Sequence, residues 1–346
     1  MRNKLNNQLR TVSLVLKNYE IEPIKVTRLQ EGLINLTFKI ETESKAYILQ
    51  RLNPIFGEAT TLLVSDVAEA CLKSGLNSFK IVKSKSRKLI ERIDNYDWRL
   101  LTHIDGSSIN KFDSPLLVRE AASLLANFHI AVRKSDFPRL NKSVPPKKDY
   151  AILLKEALAK RRQHRSWSKV CSVAAELSEF SKSISRLPER ELRLIHGDPK
   201  VSNFLFDLKD QRAVAILDFD TFGWGDVTRE LGDAFRSWCN PFGEDHGEGQ
   251  FELDFFRSGL QGYLSISDEL INVKERESIV NSTLFLLSEL SYRFLLDALE
   301  ETYFAWDPDR FSSASEHNLI RASGQLATGL SLLRQRREAD LVARMV

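Results

Sequence analysis

Hydrophobic and polar positions divide this chain into two parts with different periods. Residues 4–18 set Leu5, Leu9, Val12 and Leu16 on one face of a helix. The period then shortens. The stretch "IKVTRLQEGLINLTFKIETESKAYILQRL" alternates and is rich in β-branched and aromatic residues, so it reads as three strands. Gly32 and Asn35 stand in the first turn and the polar "ETESK" makes the second. A helix near 58–74 closes at Gly75, and "IVKSKSRKLIERIDN" and "YDWRLLTHIDG" supply two further strands. Beyond Gly106 the pattern turns helical, first with Val118, Ala122, Leu125 and Phe128 on one face. A proline-broken loop covers 135–149, helical patterns fill 150–186, a strand block spans 192–220, and helices run on to about residue 340. The expectation is an α+β chain of two lobes: a β-rich lobe over 1–104 and a mainly helical one over 105–346.

Composition changes this picture little. The 346 residues are 42% hydrophobic and 28% charged, enough for two lobes with a sizeable core. A net charge of +3 gives no strong attraction to nucleic acid. The basic cluster "KRRQHR" at 160–165 reads as the solvated face of the helix that starts near Tyr150, or as a site for an acidic partner. Cys71, Cys171 and Cys239 are far apart and form no C-x-x-C, which argues against a disulfide framework or a zinc site and for a reducing, cytoplasmic setting. The first residues lack the apolar core of a signal peptide, and no apolar run reaches the ~20 residues that span a bilayer. No membrane association is expected.

The most informative stretch is "LRLIHGDPKVSNFLFDLKDQRAVAILDFDTFGWGD". Short apolar strands flank the loop "HGDPKVS", and the buried strand "AVAILDFD" ends in Asp218 and Asp220. Phosphoryl transfer asks for a group that orients the attacking hydroxyl and takes its proton, for oxygen ligands to Mg²⁺, and for positive charge near the transferred group. Asp198 is the candidate base. Asn203 and Asp218, with Asp220 two residues on, are candidate metal ligands, because Mg²⁺ takes hard oxygen donors and few carboxylates. Lys200 is the candidate contact to the γ-phosphate. Asp198 and Asn203 lie close enough on one loop to turn toward a single phosphate. A plain turn at Asp198-Pro199 and a strand end at Asp218 would be the alternative, and the joint spacing of all four residues argues against it. His196 is assigned bracing of the loop rather than chemistry.

The residues "HGDPKVSN" and "ILDFD" resemble the protein-kinase catalytic loop and the metal-binding Asp that follows it. The resemblance is closer to the aminoglycoside phosphotransferase and choline kinase superfamily. It implies a bilobal protein-kinase-like fold, ATP and Mg²⁺ as cofactors, and phosphoryl transfer. Only a few residues separate Asp220 from a helix capped by Asp226, with Val227, Leu231, Ala234, Phe235 and Trp238 on its inner face. No long activation segment fits there, so a small-molecule substrate is expected rather than a protein.

The same resemblance makes "LQEGLINLTFKI", with Gly32 and Asn35, a phosphate-covering turn. It makes "WRLLTHIDG" the hinge, with the backbone of 101–104, including Leu101 and His103, meeting adenine. Here the chain departs from the pattern: "AYILQRLN" carries Gln50 and Arg51 where a strand-three lysine is expected, and neighbours in a strand face opposite ways. Either residue is left as the phosphate contact, and Glu58 or Glu69 as an acidic partner.

Together "YILQRLNPIF", "ILDFDTFGWGD", "GDAFR", "RFLLDAL", "TYF" and "HNLIRASGQLA" look like the N-acetylhexosamine 1-kinase subgroup. That resemblance implies a sugar as small-molecule partner, phosphorylated at its anomeric hydroxyl. Arg293, on an apolar helix, is the candidate sugar contact, unless Glu289 and Asp297 at i−4 and i+4 hold it in an ion pair. Trp224 is a stacking candidate or a core residue. Arg236 binds substrate or pairs with Asp233, and Tyr303 completes the set. Two alternatives stand beside the sugar kinase: an aminoglycoside, choline or homoserine kinase of the same fold, and a non-catalytic nucleotide-binding protein.

Overall fold

A computed structural model describes residues 2–29, 35–140 and 148–346, with residues 2–8 given as backbone only. Two compact units make up the chain, Met1–Asp105 with Ser135–Asn141, and Gly106–Lys134 with Lys142–Val346.

The first unit begins with helix α1 (Arg2–Lys17) and continues through β1 (Lys25–Leu29), β2 (Leu36–Glu41), β3 (Ala46–Arg51), α2 (Glu58–Lys73), β4 (Ile81–Val82), β5 (Glu91–Ile93) and β6 (Tyr96–Thr102). Its sheet is antiparallel throughout, in the order β1-β2-β3-β6-β4, with β5 also on β6. The stretch expected as one strand at 81–95 thus splits into two, because the polar "SKSR" turns the chain. Alternation decides the core. Phe38, Ile40, Leu49, Trp98 and Leu100 share one face and bury against Val12, Val15 and Leu16 of α1. Leu9, expected on the same helix face, is 38% exposed: the buried stripe runs through Val15 instead.

The second unit holds β7 (Ser107–Ser108), α3 (Pro115–Arg133), α4 (Tyr150–Lys160), α5 (Trp167–Lys182), β8 (Arg193–Ile195), β9 (Phe204–Asp207), β10 (Arg212–Ile216), β11 (Gly223–Gly225), α6 (Val227–Trp238), α7 (Leu253–Leu264), α8 (Val273–Arg276), α9 (Ile279–Glu300), α10 (Ala314–Arg334) and α11 (Arg336–Met345). With its β-rich first unit and largely helical second, the chain has the expected α+β, bilobal kinase-like architecture. Val118, Ala122, Leu125 and Phe128 of α3 are fully buried, as their spacing requires. The long helix α9 packs against α4, α5, α6 and α10. The basic cluster does not ride on a helix face. Helix α4 stops at Lys160, Arg161 caps it, and His164 and Arg165 in the following turn meet Glu301 at 3.3 and 3.0 Å.

Two small sheets carry the loop "HGDPKVS". Strand β9 pairs with β10 and β7, whereas β8 pairs with β11. The strand before the loop therefore does not pair with the strand after it, and β11, "GWG", has no strand signal of its own. Helix α3 approaches α7 closely at Gly262. A Cβ there would strike the Arg119 carbonyl oxygen, while the Gly262 carbonyl accepts a hydrogen bond from Ser123 Oγ at 3.0 Å. The replacement Gly262→Ala is expected to destabilise the chain by about 1–3 kcal/mol through overpacking, read as a lower urea midpoint with unchanged slope.

Candidate active site

The loop is built on one buried carboxylate. Glu230, on α6, is 2% exposed. Its Oε1 accepts the His196 backbone N–H at 2.8 Å and its Oε2 accepts that of Gly197 at 2.9 Å. His129 Nε2 also lies 3.3 Å from Oε1, and His129 Nδ1 meets the Tyr263 hydroxyl at 2.7 Å. Burial raises the Glu230 pKa, but the His129 bond, the nearby His196 and the Gly197 N–H outweigh it and leave a net lowering. Glu230 thus stays ionised and fixes two consecutive backbone amides. Sequence reasoning missed it. A Glu in the first turn of a capped helix is common, and nothing local says that it faces another loop. The expected N-cap is in place: Asp226 Oδ1 accepts the Thr228 N–H at 2.8 Å.

His196 braces the loop as expected. A backbone carbonyl only accepts, so Nε2–H donates to the Leu217 carbonyl at 2.8 Å, which leaves Nδ1 to accept the Asp198 N–H at 3.2 Å. Its ring is fully buried against Phe128 and Phe219. Gly197 has φ 87°, a left-handed conformation, and a Cβ there would collide with the Thr221 carbonyl oxygen.

These constraints set Asp198. Its Oδ2 accepts Lys200 Nζ at 2.7 Å and Asn203 Nδ2 at 3.1 Å, and Asn203 Nδ2 also donates to the Asp198 carbonyl at 2.7 Å. Burial disfavours its charge, yet Lys200, Arg236 and His196 together hold the carboxyl below its ordinary range. Lys200 is half-buried, and Asp198, Glu244 and Asp218 raise its pKa on balance. At neutral pH an Asp198 carboxylate faces a Lys200 ammonium.

The hairpin delivers the remaining residues. Phe204 pairs with Ile216 at the end of the β9–β10 ladder, and Leu217 N–H donates to the Asn203 carbonyl at 2.8 Å. That bond sets Asn203 beside the chain just before Asp218. Asp218 itself has φ 63° and ψ 64°, a left-handed turn that ends the strand. Burial and the neighbouring Asp220 push Asp218 up to about 6. Because Asn203 spends its Nδ2 on Asp198, its Oδ1 is the oxygen left to a cation. A carboxylate crowded by a second acid beside an amide oxygen suits a hard divalent ion.

The structure thus brings Asp198, Lys200, Asn203, Asp218 and Asp220 together, with Arg236 behind them. Arg236 Nε donates to Asp233 at 2.7 Å and its Nη1 to Glu244 at 2.6 Å, so of the two expectations the ion pair is met. Arg293 is not held by its helix neighbours: Glu289 pairs with Arg229 at 3.0 Å, and Asp297 accepts the backbone N–H groups of Thr302, Tyr303 and Phe304. Instead its guanidinium lies among Tyr150, Tyr303 and Phe304, 5.5–5.7 Å from the ring centres, and Tyr303 is 60% exposed. Trp224 lies on β11 opposite Leu194. A second hub near the α6–α7 loop joins Asp245 Oδ1 to His317 Nε2 at 2.9 Å and Arg321 Nε at 2.6 Å.

In the first unit Gln50 and Arg51 face opposite ways. The Arg51 guanidinium lies 4.2 Å over the Tyr96 ring, while Gln50 Oε1 accepts Arg99 Nε–H at 2.8 Å. Asn35 Oδ1 accepts the Asn53 N–H at 2.9 Å. Leu101 pairs with Ile48 and Ile81 in the sheet, and the His103 N–H donates to the Ala46 carbonyl at 3.2 Å. Gly32 lies outside the described residues. Glu69 pairs with Lys73 at 2.8 Å, and Glu58 opens α2 at the surface.

Residues 25–265 match the phosphotransferase enzyme family, and the chain belongs to it. An aminopropanol kinase associated with a microcompartment superposes with a TM-score of 0.63 at 14% identity, over 96% of this chain and 99% of that one. An amicoumacin kinase in complex with AMP-PNP, Ca²⁺ and Ami gives 0.61 at 16% identity, over 98% and 96%. A choline/ethanolamine kinase family protein from Mesorhizobium loti gives 0.53 at 16%, over 93% of each chain. At these identities the likeness shows the shared fold.

Two outcomes test the site's construction. Glu230→Gln offers one acceptor oxygen and turns an NH₂ on the other loop amide, so it is expected to cost about 1–3 kcal/mol and to lower kcat at unchanged nucleotide affinity. Asp245 is pulled below its ordinary range, because His317 and Arg321 outweigh burial. A depressed carboxyl stabilises the fold above its unfolded pKa of about 3.9 and loses that effect as pH falls through its folded value. Asp245→Asn should therefore lower the melting temperature at pH 7, with the gap to the wild type constant down to about pH 4 and narrowing progressively below it.

Proposed function

We propose that the chain is an ATP-dependent kinase that moves the γ-phosphoryl group to an alcohol of a small molecule. The observation that carries this reading is the Asp198 carboxylate, ionised and held by Lys200 and Asn203 beside the Asp218–Asp220 pair.

In this reading Asp198 orients the acceptor hydroxyl and takes its proton as the O–P bond forms. The hydrogen bond from Asn203 aims the carboxylate. The Lys200 ammonium lies where negative charge gathers on the transferred group. Asn203 Oδ1 and Asp218, with Asp220 beside them, would hold Mg²⁺, which would supply positive charge against that of the phosphates. In the first unit, Gln50 and the backbone near Leu101 and His103 are the candidate nucleotide contacts.

Two acceptor classes remain, and different observations favour them. The solved structures named above are those of kinases of aminopropanol and amicoumacin and of the choline/ethanolamine kinase family, which favours an amino alcohol or related acceptor. A cationic acceptor needs a carboxylate free to meet it. Near the loop Asp233 and Glu244 are spent on Arg236, and Asp245 meets Arg321 and His317. That distribution supports a neutral polyhydroxyl acceptor, as does the exposed Arg293–Tyr303 pair, whose donors suit sugar hydroxyls. The N-acetylhexosamine reading rests on these features and on the flanking motifs.

ADP release over a panel of hexosamines, amino alcohols and aminoglycosides decides between the classes. Asp198→Asn is expected to lower kcat by about 10²–10⁴-fold with little change in the KM for ATP. Undiminished turnover by that variant would overturn the mechanism.

A further inference from the structure

The missing strand-three lysine leaves the nucleotide's phosphates without their expected cation. The sheet register shows what stands at that place. Thr37, Gln50 and Arg99 are directly opposed on β2, β3 and β6, and Lys39, Ile48 and Leu101 form the next row on the same face. Phe38, Leu49 and Leu100 point to the other face, into the core with α1. Arg51 shares that α1 side, over Tyr96, and is thereby turned from the row that holds Leu101.

Arg99 is 2% exposed, so its guanidinium is a buried positive charge, next to the very residue that replaces lysine. Its Nε–H donates to Gln50 Oε1 at 2.8 Å. A guanidinium has donors only, so the carboxamide must present its oxygen to Arg99 and turn its NH₂ away. The half-buried Gln50 thus offers two N–H donors whose dipole is backed by a cation. Ile48 and Leu101 lie two residues along β3 and β6, about 6.6 Å away by strand rise. The apolar Ile48–Leu101 pair followed by a cation-backed donor row matches a nucleotide, whose base is flat and apolar-faced and whose phosphates are anionic.

We infer that Gln50 and Arg99 together replace the strand-three lysine: Gln50 Nε2 donates to a phosphate oxygen, and Arg99 acts through it as a positioning residue that supplies the charge. The division has a physical basis. A lysine combines contact and charge in one flexible side chain, whereas here the contact lies on β3 and the charge is fixed behind it on β6. No acidic partner on α2 is needed to hold a lysine, in keeping with Glu69 pairing with Lys73 and Glu58 lying at the surface.

The inference rests on the kinase reading, and its test separates the two. ATP and adenosine affinities of the full chain are measured by calorimetry for the wild type, Arg99→Leu and Gln50→Glu. Adenosine carries the base without the phosphates. Both variants are expected to bind ATP at least about tenfold more weakly and adenosine within about twofold of wild type. A merely structural Arg99 would weaken both ligands in the same ratio. Gln50→Glu keeps the side chain's size and can pair with Arg99, so it carries the test if Arg99→Leu does not fold. A wild-type chain that binds no ATP overturns the kinase reading along with this one. A wild type that binds ATP, with variants that bind it equally well or lose adenosine in proportion, overturns this inference alone.

Discussion

The Glu230 carboxylate takes the backbone N–H groups of His196 and Gly197 from inside the second unit, and the rest of the site hangs from those two bonds. The pairing of strands makes it necessary. Strand β8 leaves the loop toward β11 while β9 leaves it toward β10, so no common ladder fixes the loop between them. A buried carboxylate can replace the ladder because both its oxygens accept, and because each bond to a charged acceptor is worth about 1.5–3 kcal/mol. The His129–Tyr263 relay behind it offsets part of the cost of burying the charge. With the loop fixed, His196 closes it onto Leu217 and brings the end of β10 alongside.

Charges in the second unit are closely coupled. Asp218 and Asp220 crowd each other, Lys200 pairs with Asp198 and feels Asp218, and Arg236 pairs with Asp233 and Glu244. One pKa is pushed down and another up within the same few residues. Asp198 is kept ionised by its cations, while Asp218 is held near 6 by burial and a like charge. Most of the cations here are already spoken for by carboxylates of the chain itself.

Much of this architecture was legible in the chain. The 3.6-residue stripe of α3 and the alternation of β2 and β3 gave their buried faces, since periodicity is a local consequence of backbone geometry. The Asp226 cap, the stop at Gly75 and the bracing role of His196 were local too. The basic run at 160–165 misled, because charge composition does not say where a helix ends. The i−4 and i+4 acids of Arg293 misled because helix spacing only offers partners. Tertiary neighbours Arg229 and the backbone of 302–304 claimed them first.

Sequence alone determined the reaction class: Asp198, Lys200, Asn203 and Asp218 stand within one loop and one hairpin, and short-range spacing fixes what such a segment can gather. Only the tertiary structure decided which buried carboxylate aims that loop, that Gln50 rather than Arg51 shares a sheet face with Leu101, and that Arg99 stands behind it. These relations join residues tens of positions apart. They depend on helix packing and on strand register, in which a shift of one residue would turn Gln50 and Arg99 to the other face of the sheet.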